Sequence, residues 1–201
     1  GLLRRFLPGL SFSSGDLFRR HLHDQTPLGL RAEEFMNQGL LVPDEVTIDM
    51  FLERVLSLPA EEGFILDGFP RNPNQAKALE EALKRQSRGL NRVVHLNVTE
   101  PELLRRLGGR FSCRQCLAPH NIERPASEQG SNEPSCQKCG GELSQRTDDR
   151  PEVVRRRIEV YGEETKPVLE FYRERGLLAE VPGTGSVETV KQLVWAALTP
   201  K

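Results

Sequence analysis

Short apolar runs alternate with amphipathic helical patterns along most of this 201-residue chain. The short runs predict strands at 10–12, 63–67, 93–98 and 178–181. Apolar residues with helical spacing predict helices over 17–23, 28–38, 44–58, 74–86, 101–107, 151–175 and 187–198. Buried strands that alternate with helices indicate an α/β fold, in which helices cover both faces of a parallel sheet.

Two local features qualify this pattern. Residues 2–7 have the character of the last turns of a helix, which Pro8 and Gly9 end. Pro167 lies inside the 151–175 pattern and is expected to kink or divide that helix. The segment 110–145, which contains all four cysteines, interrupts the alternation and is interpreted as an insertion between two helices.

Charge and hydropathy argue against two classes of protein. The net charge is −1, so no general attraction to nucleic acid or to an anionic membrane surface is expected. No apolar run approaches the ~20 residues that a membrane-spanning helix needs, so no membrane insertion is expected.

The cysteines form two Cys-x-x-Cys pairs, Cys113 with Cys116 and Cys136 with Cys139. This layout can hold one tetrahedral metal ion, and it predicts a single structural zinc. Two local disulfides, or thiols that bind no metal, are the alternatives. Four thiolates leave no open coordination position, so zinc would fold this module and perform no chemistry.

A second group of residues follows the apolar run at 63–67. The sequence Asp-Gly-Phe-Pro-Arg at 67–71 stands where the carboxyl end of a parallel strand would bind a ligand. There Asp67 can hold a magnesium-bound water, and Gly68 and Pro70 can aim Arg71. An ordinary strand-to-helix loop is the alternative for these five residues.

Polar side chains near this loop add to the same interpretation. Gln75 lies one helical turn after Arg71 and could recognise a base edge with its amide. Ser14, Gly15, Asp16 and Arg19 offer a hydroxyl, a helix N-terminus and a guanidinium for a phosphate or sugar.

With these motifs the chain resembles the adenylate kinases, which transfer a phosphoryl group between ATP and AMP. The resemblance extends from Leu10 to about residue 198 and covers several motifs in the same order. They are Ser13 to Arg19, Leu40 to Glu45, Asp67 to Arg71 with Gln75, Arg106-x-x-Gly109-Arg110, the four cysteines, Arg146-x-Asp148-Asp149, Val154 to Arg157, and Gly183-Thr184-Gly185.

The resemblance implies a role for each matching residue. The implied AMP site contains Ser14, Arg19, Leu41, Val42, Gly68, Arg71 and Gln75. The implied ATP site contains Arg106, Arg110 and Gly185, and magnesium accompanies ATP. The implied catalytic residues are Asp67, Arg110, Arg146 and Arg157.

The resemblance also implies a division of the chain. The core domain would comprise 1–13, 44–106 and 147–201, built on a P-loop-type, five-stranded parallel sheet. An AMP-binding insertion would occupy 14–43, and a zinc-binding lid 107–146. AMP, ATP and ADP would be the ligands, of a monomer or of a subunit in a larger assembly.

One family feature does not occur in the 201 residues. The family begins with a strand and a Gly-x-x-x-x-Gly-Lys loop that binds the ATP phosphates, whereas the first lysine here is Lys77. We expect that the sequence starts just after this loop, in preference to a true loss. A chain without the loop is expected to be a poor kinase, which leaves a structural, adenylate-kinase-like subunit as the alternative function.

Further interpretations concern the lid and the compartment. Relatives often carry an aromatic residue before His120, where this chain has Pro119, so lid contacts with ATP are expected to differ slightly.

A zinc-ribbon nucleic-acid binder is the third hypothesis, but the tip between the cysteine pairs is not basic. We expect the cytoplasm if the source is bacterial, and the mitochondrial or plastid interior if it is eukaryotic.

Overall fold

The structure is a computed structural model that describes residues 10–122 and 135–199. The strands in these residues are β1 (Leu10–Ser13), β2 (Phe64–Asp67), β3 (Val93–Asn97), β4 (Arg110–Cys113), β5 (Pro119–Asn121), β6 (Leu143–Gln145) and β7 (Leu178–Pro182). The helices are α1 (Ser14–His23), α2 (Pro27–Gln38), α3 (Asp44–Leu56), α4 (Pro73–Arg85), α5 (Glu100–Gly108), α6 (Pro151–Val160), α7 (Lys166–Arg173) and α8 (Val187–Leu198). The elements predicted from apolar spacing are thus confirmed, except that the predicted helix end at 2–7 lies outside the described residues.

The parallel strands form two pairs. β1 pairs with β2, and β3 pairs with β7, each in parallel register. No strand among the described residues hydrogen-bonds one pair to the other, so these residues form two small parallel sheets. The five-stranded sheet that the resemblance implies stays a prediction. A mixed α/β architecture with helices around small parallel sheets is confirmed.

Helix α4 connects the two parallel pairs through side chains. On one side Leu79 and Leu83 of α4 pack with Phe12, Phe51 and Phe69 in the core cluster beside β1 and β2. The rings of Phe51 and Phe69 stack with their centroids 4.4 Å apart.

On its other side, Ala76 of α4 packs against Val168 and Tyr172 of α7. Val93 and Leu178, from β3 and β7, pack against this second cluster. The burial of apolar side chains therefore holds the two strand pairs on one helix.

The cysteine-containing segment forms a separate antiparallel sheet in the order β5-β4-β6. It follows α5 directly, and a 3-10 turn at Thr147–Asp149 leads from β6 to α6. The predicted insertion between two helices is confirmed by this arrangement.

The long helix predicted at 151–175 is divided, as Pro167 suggested. Helix α6 ends at Val160, a π-helical turn occupies Tyr161–Thr165, and α7 begins at Lys166. Proline has no N–H for the helical ladder, and its ring collides with the carbonyl one turn earlier. The wider π turn is one of the few ways in which a helix accommodates such a break.

No helix in the described part of the chain is both long enough and apolar enough to span a bilayer.

Helices α1 and α2 pack so closely that Gly29 leaves no room for a side chain. A methyl group at this position would lie 2.2 Å from the carbonyl carbon of His21. We expect Gly29→Ala to lower the free energy of unfolding by about 1–3 kcal/mol, the cost of overpacking a close contact. Urea denaturation measures this loss.

Gly108 provides the matched control, because it is also helical and a methyl group at its Cα would have no neighbouring atom within 4 Å. Gly108→Ala is expected to leave stability unchanged or to raise it by up to ~1 kcal/mol. A loss of equal size in both variants would contradict the close packing of α1 on α2.

Candidate active site and metal centre

The carboxyl ends of β1 and β2 meet at a turn that holds Arg71. Gly68 follows β2 with a φ of 73°, and a Cβ there would lie 2.5 Å from the Ser14 hydroxyl oxygen. The Gly68 carbonyl accepts hydrogen bonds from Ser14 Oγ at 3.0 Å and from Arg71 Nε at 2.9 Å. Arg71 Nη2 also lies 3.4 Å from Ser14 Oγ. Three predicted site residues, Ser14, Gly68 and Arg71, are therefore in direct contact.

Gln75 is buried and its amide is held at both ends. Its Oε1 accepts the Arg71 backbone N–H at 2.8 Å, and its Nε2 donates to Asp44 Oδ1 at 2.8 Å. Asn72, the N-cap of α4, donates to the same Asp44 oxygen at 2.7 Å. The amide predicted to recognise a base is thus bound by the protein itself in this structure.

Asp44 is a site residue that sequence reasoning missed. It is the first residue of α3, 31 positions before Gln75, and although it lies in the matching run Leu40 to Glu45, the resemblance implied no role for its side chain. The hydrogen bond from a buried amide to this carboxylate can be recognised only in the folded structure, because the two residues are far apart in the sequence.

Two buried aspartates lie on the 3-10 turn at Thr147–Asp149 and bind arginines from other elements. Arg110 donates to both carboxylate oxygens of Asp149, at 2.7 and 2.5 Å. Arg157 donates to the Asp148 carbonyl at 2.9 Å and to Asp149 Oδ1 at 3.3 Å. The exposed fractions of Asp148 and Asp149 are only 9% and 2%.

Arg19 and Arg146 complete this group. Arg19 donates to Asp16 at 2.7 Å, and its Nη1 lies 3.7 Å from an Asp148 oxygen. Arg146 donates to Ser112 Oγ at 2.7 Å. Burial, together with the charges of Arg19 and Arg110, lowers the pKa of Arg146 to about 10.

The same positive region includes Arg71. Burial lowers its pKa, and the nearby charges of Arg157 and Arg19 act in the same direction. We call these five residues the arginine cluster: Arg19, Arg71, Arg110, Arg146 and Arg157. Burial and mutual repulsion destabilise the charged form of these guanidiniums. A polyanion would counter both effects, because its oxygens accept their hydrogen bonds and neutralise their charge.

Other predicted site residues lie apart from the arginine cluster in the contacts described. Arg106 donates to Glu102 on its own helix at 2.6 Å. Val42 is buried against Phe18 and Ala32, and Leu41 precedes it in the segment between α2 and α3.

Two further predicted residues lie at strand ends or in loops. Asp67 is exposed at the end of β2, and its carboxylate is close enough to favour the charged form of Arg71. Gly185 has a φ of 119° in the segment from β7 to α8.

The four cysteine sulfurs come together in the antiparallel sheet, and each lies within 4.8 Å of all the others. The Sγ atoms of Cys113 and Cys139 are 3.4 Å apart, and those of Cys116 and Cys136 are 3.6 Å apart. Tetrahedral zinc with bonds of ~2.3 Å places its sulfurs ~3.8 Å apart. The cluster can therefore hold a metal ion, and disulfides across either Cys-x-x-Cys pair are not formed.

The charges of the sulfurs also suit a cation. Hydrogen bonds from the backbone N–H groups of Cys116 and Gln115 lower the pKa of Cys113 to about 6. The Gly141 N–H favours the Cys139 thiolate, but the neighbouring Cys113 and Cys116 sulfurs raise the pKa of Cys139 to about 12. A bound cation would remove the repulsion between such closely spaced thiolates.

Comparison with known proteins gives a consistent result. A family model described as adenylate kinase matches residues 5–177. The adenylate kinase of Dehalococcoides mccartyi strain 195 is 42% identical over 186 residues, which are 92% of this chain and 84% of the relative. The adenylate kinase of Streptomyces avermitilis is 46% identical over 188 residues, with coverage of 92% and 84%. That of Carboxydothermus hydrogenoformans is 45% identical over 179 residues, with coverage of 89% and 82%.

Asp149 should be important for stability, because it neutralises two guanidiniums. We expect Asp149→Asn to lower the free energy of unfolding by about 2–3 kcal/mol, the scale of lost charge-assisted hydrogen bonds. Added salt should reduce the loss, because it screens the repulsion between Arg110 and Arg157. Urea denaturation at two salt concentrations measures both effects.

Glu159→Gln is the control, because Glu159 forms an exposed pair with Arg156 at 2.9 Å. This variant is expected to change stability by less than ~0.5 kcal/mol. If Asp149→Asn behaved in the same way, the two aspartates would not be the anchor of the arginine cluster.

Proposed function

This chain belongs to the adenylate kinase family, and we propose that its arginine cluster performs the family reaction, ATP plus AMP to two ADP. The chain is thus a phosphotransferase. The observation that carries the residue assignments is the convergence of Arg19, Arg110 and Arg157 on two buried aspartates.

The chemistry of phosphoryl transfer accounts for such a cluster. The transferred group carries negative charge on its oxygens throughout, so catalysis depends mainly on positioning and on charge stabilisation. Guanidiniums are planar and bind two oxygens at once, which makes them suitable for this purpose. We assign Arg110, Arg146 and Arg157 to the phosphoryl group in transfer.

The aspartates keep the guanidiniums in place before a nucleotide binds. Asp149 accepts both donors of the Arg110 fork, as a phosphate would. When a nucleotide binds, its phosphate oxygens would replace the aspartate oxygens as hydrogen-bond acceptors. The arginines would already lie close together. The arrangement is therefore preorganised for a polyanion.

We assign the AMP phosphate to Arg71 and Arg19, with the Ser14 hydroxyl and the Gly68 backbone beside them. Leu41 and Val42 would flank the adenine through their backbone. Gln75 would recognise the adenine edge only if its amide exchanged the bonds to Asp44 or to the Arg71 N–H. Asp44 is therefore part of the proposed AMP site, because it controls whether this amide is available.

On the ATP side we assign Arg106, Arg110 and Gly185. Exposed Asp67 is a suitable carboxylate for a water of hydrated magnesium. When bound with ATP, magnesium neutralises phosphate charge.

The lid would hold one zinc ion through Cys113, Cys116, Cys136 and Cys139. The ion would make a small antiparallel sheet rigid, since so few residues bury little apolar surface. A rigid lid could carry Arg110 as one body and exclude water from the phosphoryl group.

The other hypotheses receive less support. The three relatives compared above are all named adenylate kinase, which favours catalysis over a purely structural subunit. The same family membership opposes a zinc-ribbon nucleic-acid binder, whose contacts would fall on the tip at 117–135, of which 123–134 lie outside the described residues. The domain limits, oligomeric state and compartment stay predictions; these three relatives are bacterial, which agrees with the cytoplasmic alternative.

The AMP assignment is tested with Arg71→Ala in the full-length protein. We expect AMP binding to weaken by about 2–3 kcal/mol, because a charge-assisted, bidentate contact with the phosphate is lost. Isothermal titration calorimetry with AMP measures this change, and a coupled assay of ADP formation should show a higher KM for AMP.

Arg85→Ala is the control, because Arg85 is an exposed arginine on α4, the helix that carries Gln75. Its AMP affinity is expected to match that of the native protein. Unchanged AMP affinity in Arg71→Ala would show that the phosphate binds elsewhere.

The zinc assignment predicts one zinc per chain in freshly purified, reduced protein. Removal of the ion with a chelator should lower the melting temperature, because the lid loses its crosslink. Elemental analysis and thermal denaturation with and without chelator measure these two results. Protein without any bound metal would contradict the assignment.

A further inference from the structure

A histidine outside the four-cysteine set contacts one of its sulfurs. His120 Nε2 lies 3.2 Å from Cys136 Sγ. The sequence alone indicates no partner for His120, because Cys136 lies 16 positions further along the chain. The contact is directed by the backbone: His120 lies on β5 opposite Phe111 of β4, and Cys113 N–H donates to the Ala118 carbonyl at 3.0 Å.

His120 is not positioned as a metal ligand. Among the described residues, the group of side chains that could surround one ion consists of the four cysteines and does not include His120. The ring also contacts Cys136 at a distance suited to a hydrogen bond to sulfur. With a thiolate as the acceptor, His120 carries the proton on Nε2 and donates it.

The two cysteine turns are supported differently. Cys113 Sγ accepts the backbone N–H groups of Gln115 and Cys116, each at 3.4 Å. Cys136 Sγ accepts the Lys138 N–H at 3.4 Å, and the His120 side chain supplies a shorter contact. The histidine therefore does for Cys136 what a second backbone amide does for Cys113.

We propose that His120 is a positioning residue for the lid metal, donating a hydrogen bond to the Cys136 thiolate that slows loss of zinc. The inference rests on the zinc assignment above. A donated hydrogen bond fixes the direction of the sulfur, so that it stays oriented toward the ion. It also lowers the nucleophilicity of the sulfur toward electrophiles such as a maleimide. The bond also connects β5 to the segment 135–142, which contains Cys136 and Cys139.

The experiment compares His120→Leu with His120→Gln, whose Nε2 keeps an N–H donor at a similar distance from the backbone. His23→Leu is the control, because His23 lies at the end of α1 and pairs with Asp24. Each zinc-loaded, reduced protein is mixed with a colorimetric zinc chelator at one fixed pH, and the rate of zinc transfer is recorded. A maleimide then reports the alkylation rate of Cys136 by peptide mapping.

We expect zinc transfer from His120→Leu to be about 10–100-fold faster than from the native protein, the usual effect of losing an outer-sphere partner. Cys136 should also be alkylated faster in this variant. His120→Gln should stay within about threefold of native, and His23→Leu should match it. This outcome would separate the donor from the packing of the ring.

Three results would overturn the proposal. Equal transfer rates in native and His120→Leu would mean that the hydrogen bond does not retain zinc. Equally fast transfer in His120→Leu and His120→Gln would assign the effect to ring packing. If the absorption spectrum of cobalt-loaded His120→Leu showed one metal ligand fewer than that of the native protein, His120 would be a metal ligand.

Native protein without zinc would overturn the zinc assignment itself, whereas zinc-replete native protein with unaltered variants would overturn this inference alone.

Discussion

Two carboxylates that solvent barely reaches, Asp148 and Asp149, bind arginines from three separate parts of the chain. Arg19 comes from α1, Arg110 from the first strand of the cysteine-bearing sheet, and Arg157 from α6. Buried charges are unfavourable unless opposite charges and hydrogen bonds satisfy them, so each partner requires the other. Helix α1, strand β4 and helix α6 are thus connected through one group of charged side chains.

This dependence has a consequence for ligand binding. Guanidiniums collected by protein carboxylates are already partly desolvated and oriented, so a nucleotide need not provide the free energy for assembling them. In the proposed site its phosphates would compete with Asp149 for donors that are in place. The affinity for a nucleotide would then reflect how much better its phosphates accept hydrogen bonds than the Asp149 carboxylate does. Such a difference is small, which favours reversible binding of substrates and products that carry similar charge.

The local structure was largely predictable, whereas the long-range contacts were not. Apolar spacing located α8 at its observed bounds, and Pro167 marked the break between α6 and α7. The four parallel strands were predicted, but the three antiparallel strands of the cysteine-containing segment were not, and the pairing of strands depends on hydrogen bonds between distant segments. The site followed the same rule: arginines were recognised from motifs, but Asp44 and the His120 contact were missed because only folding brings their partners close.

The π turn at Tyr161–Thr165 lies on the surface, where changes in chain length are usually harmless. Here the opposite should hold. Each residue of an α-helix turns the chain by about 100°, so one residue gained or lost in this segment would rotate α6 relative to α7. Asp148, Asp149 and Arg157 all lie on the α6 side of the turn, so they would rotate together and Asp148 would lose its contact with Arg19 of α1, while every element kept its own sequence. The exposed side chains of Glu163 and Glu164 can therefore be replaced with little effect, whereas the number of residues in the turn cannot change without moving the buried aspartates.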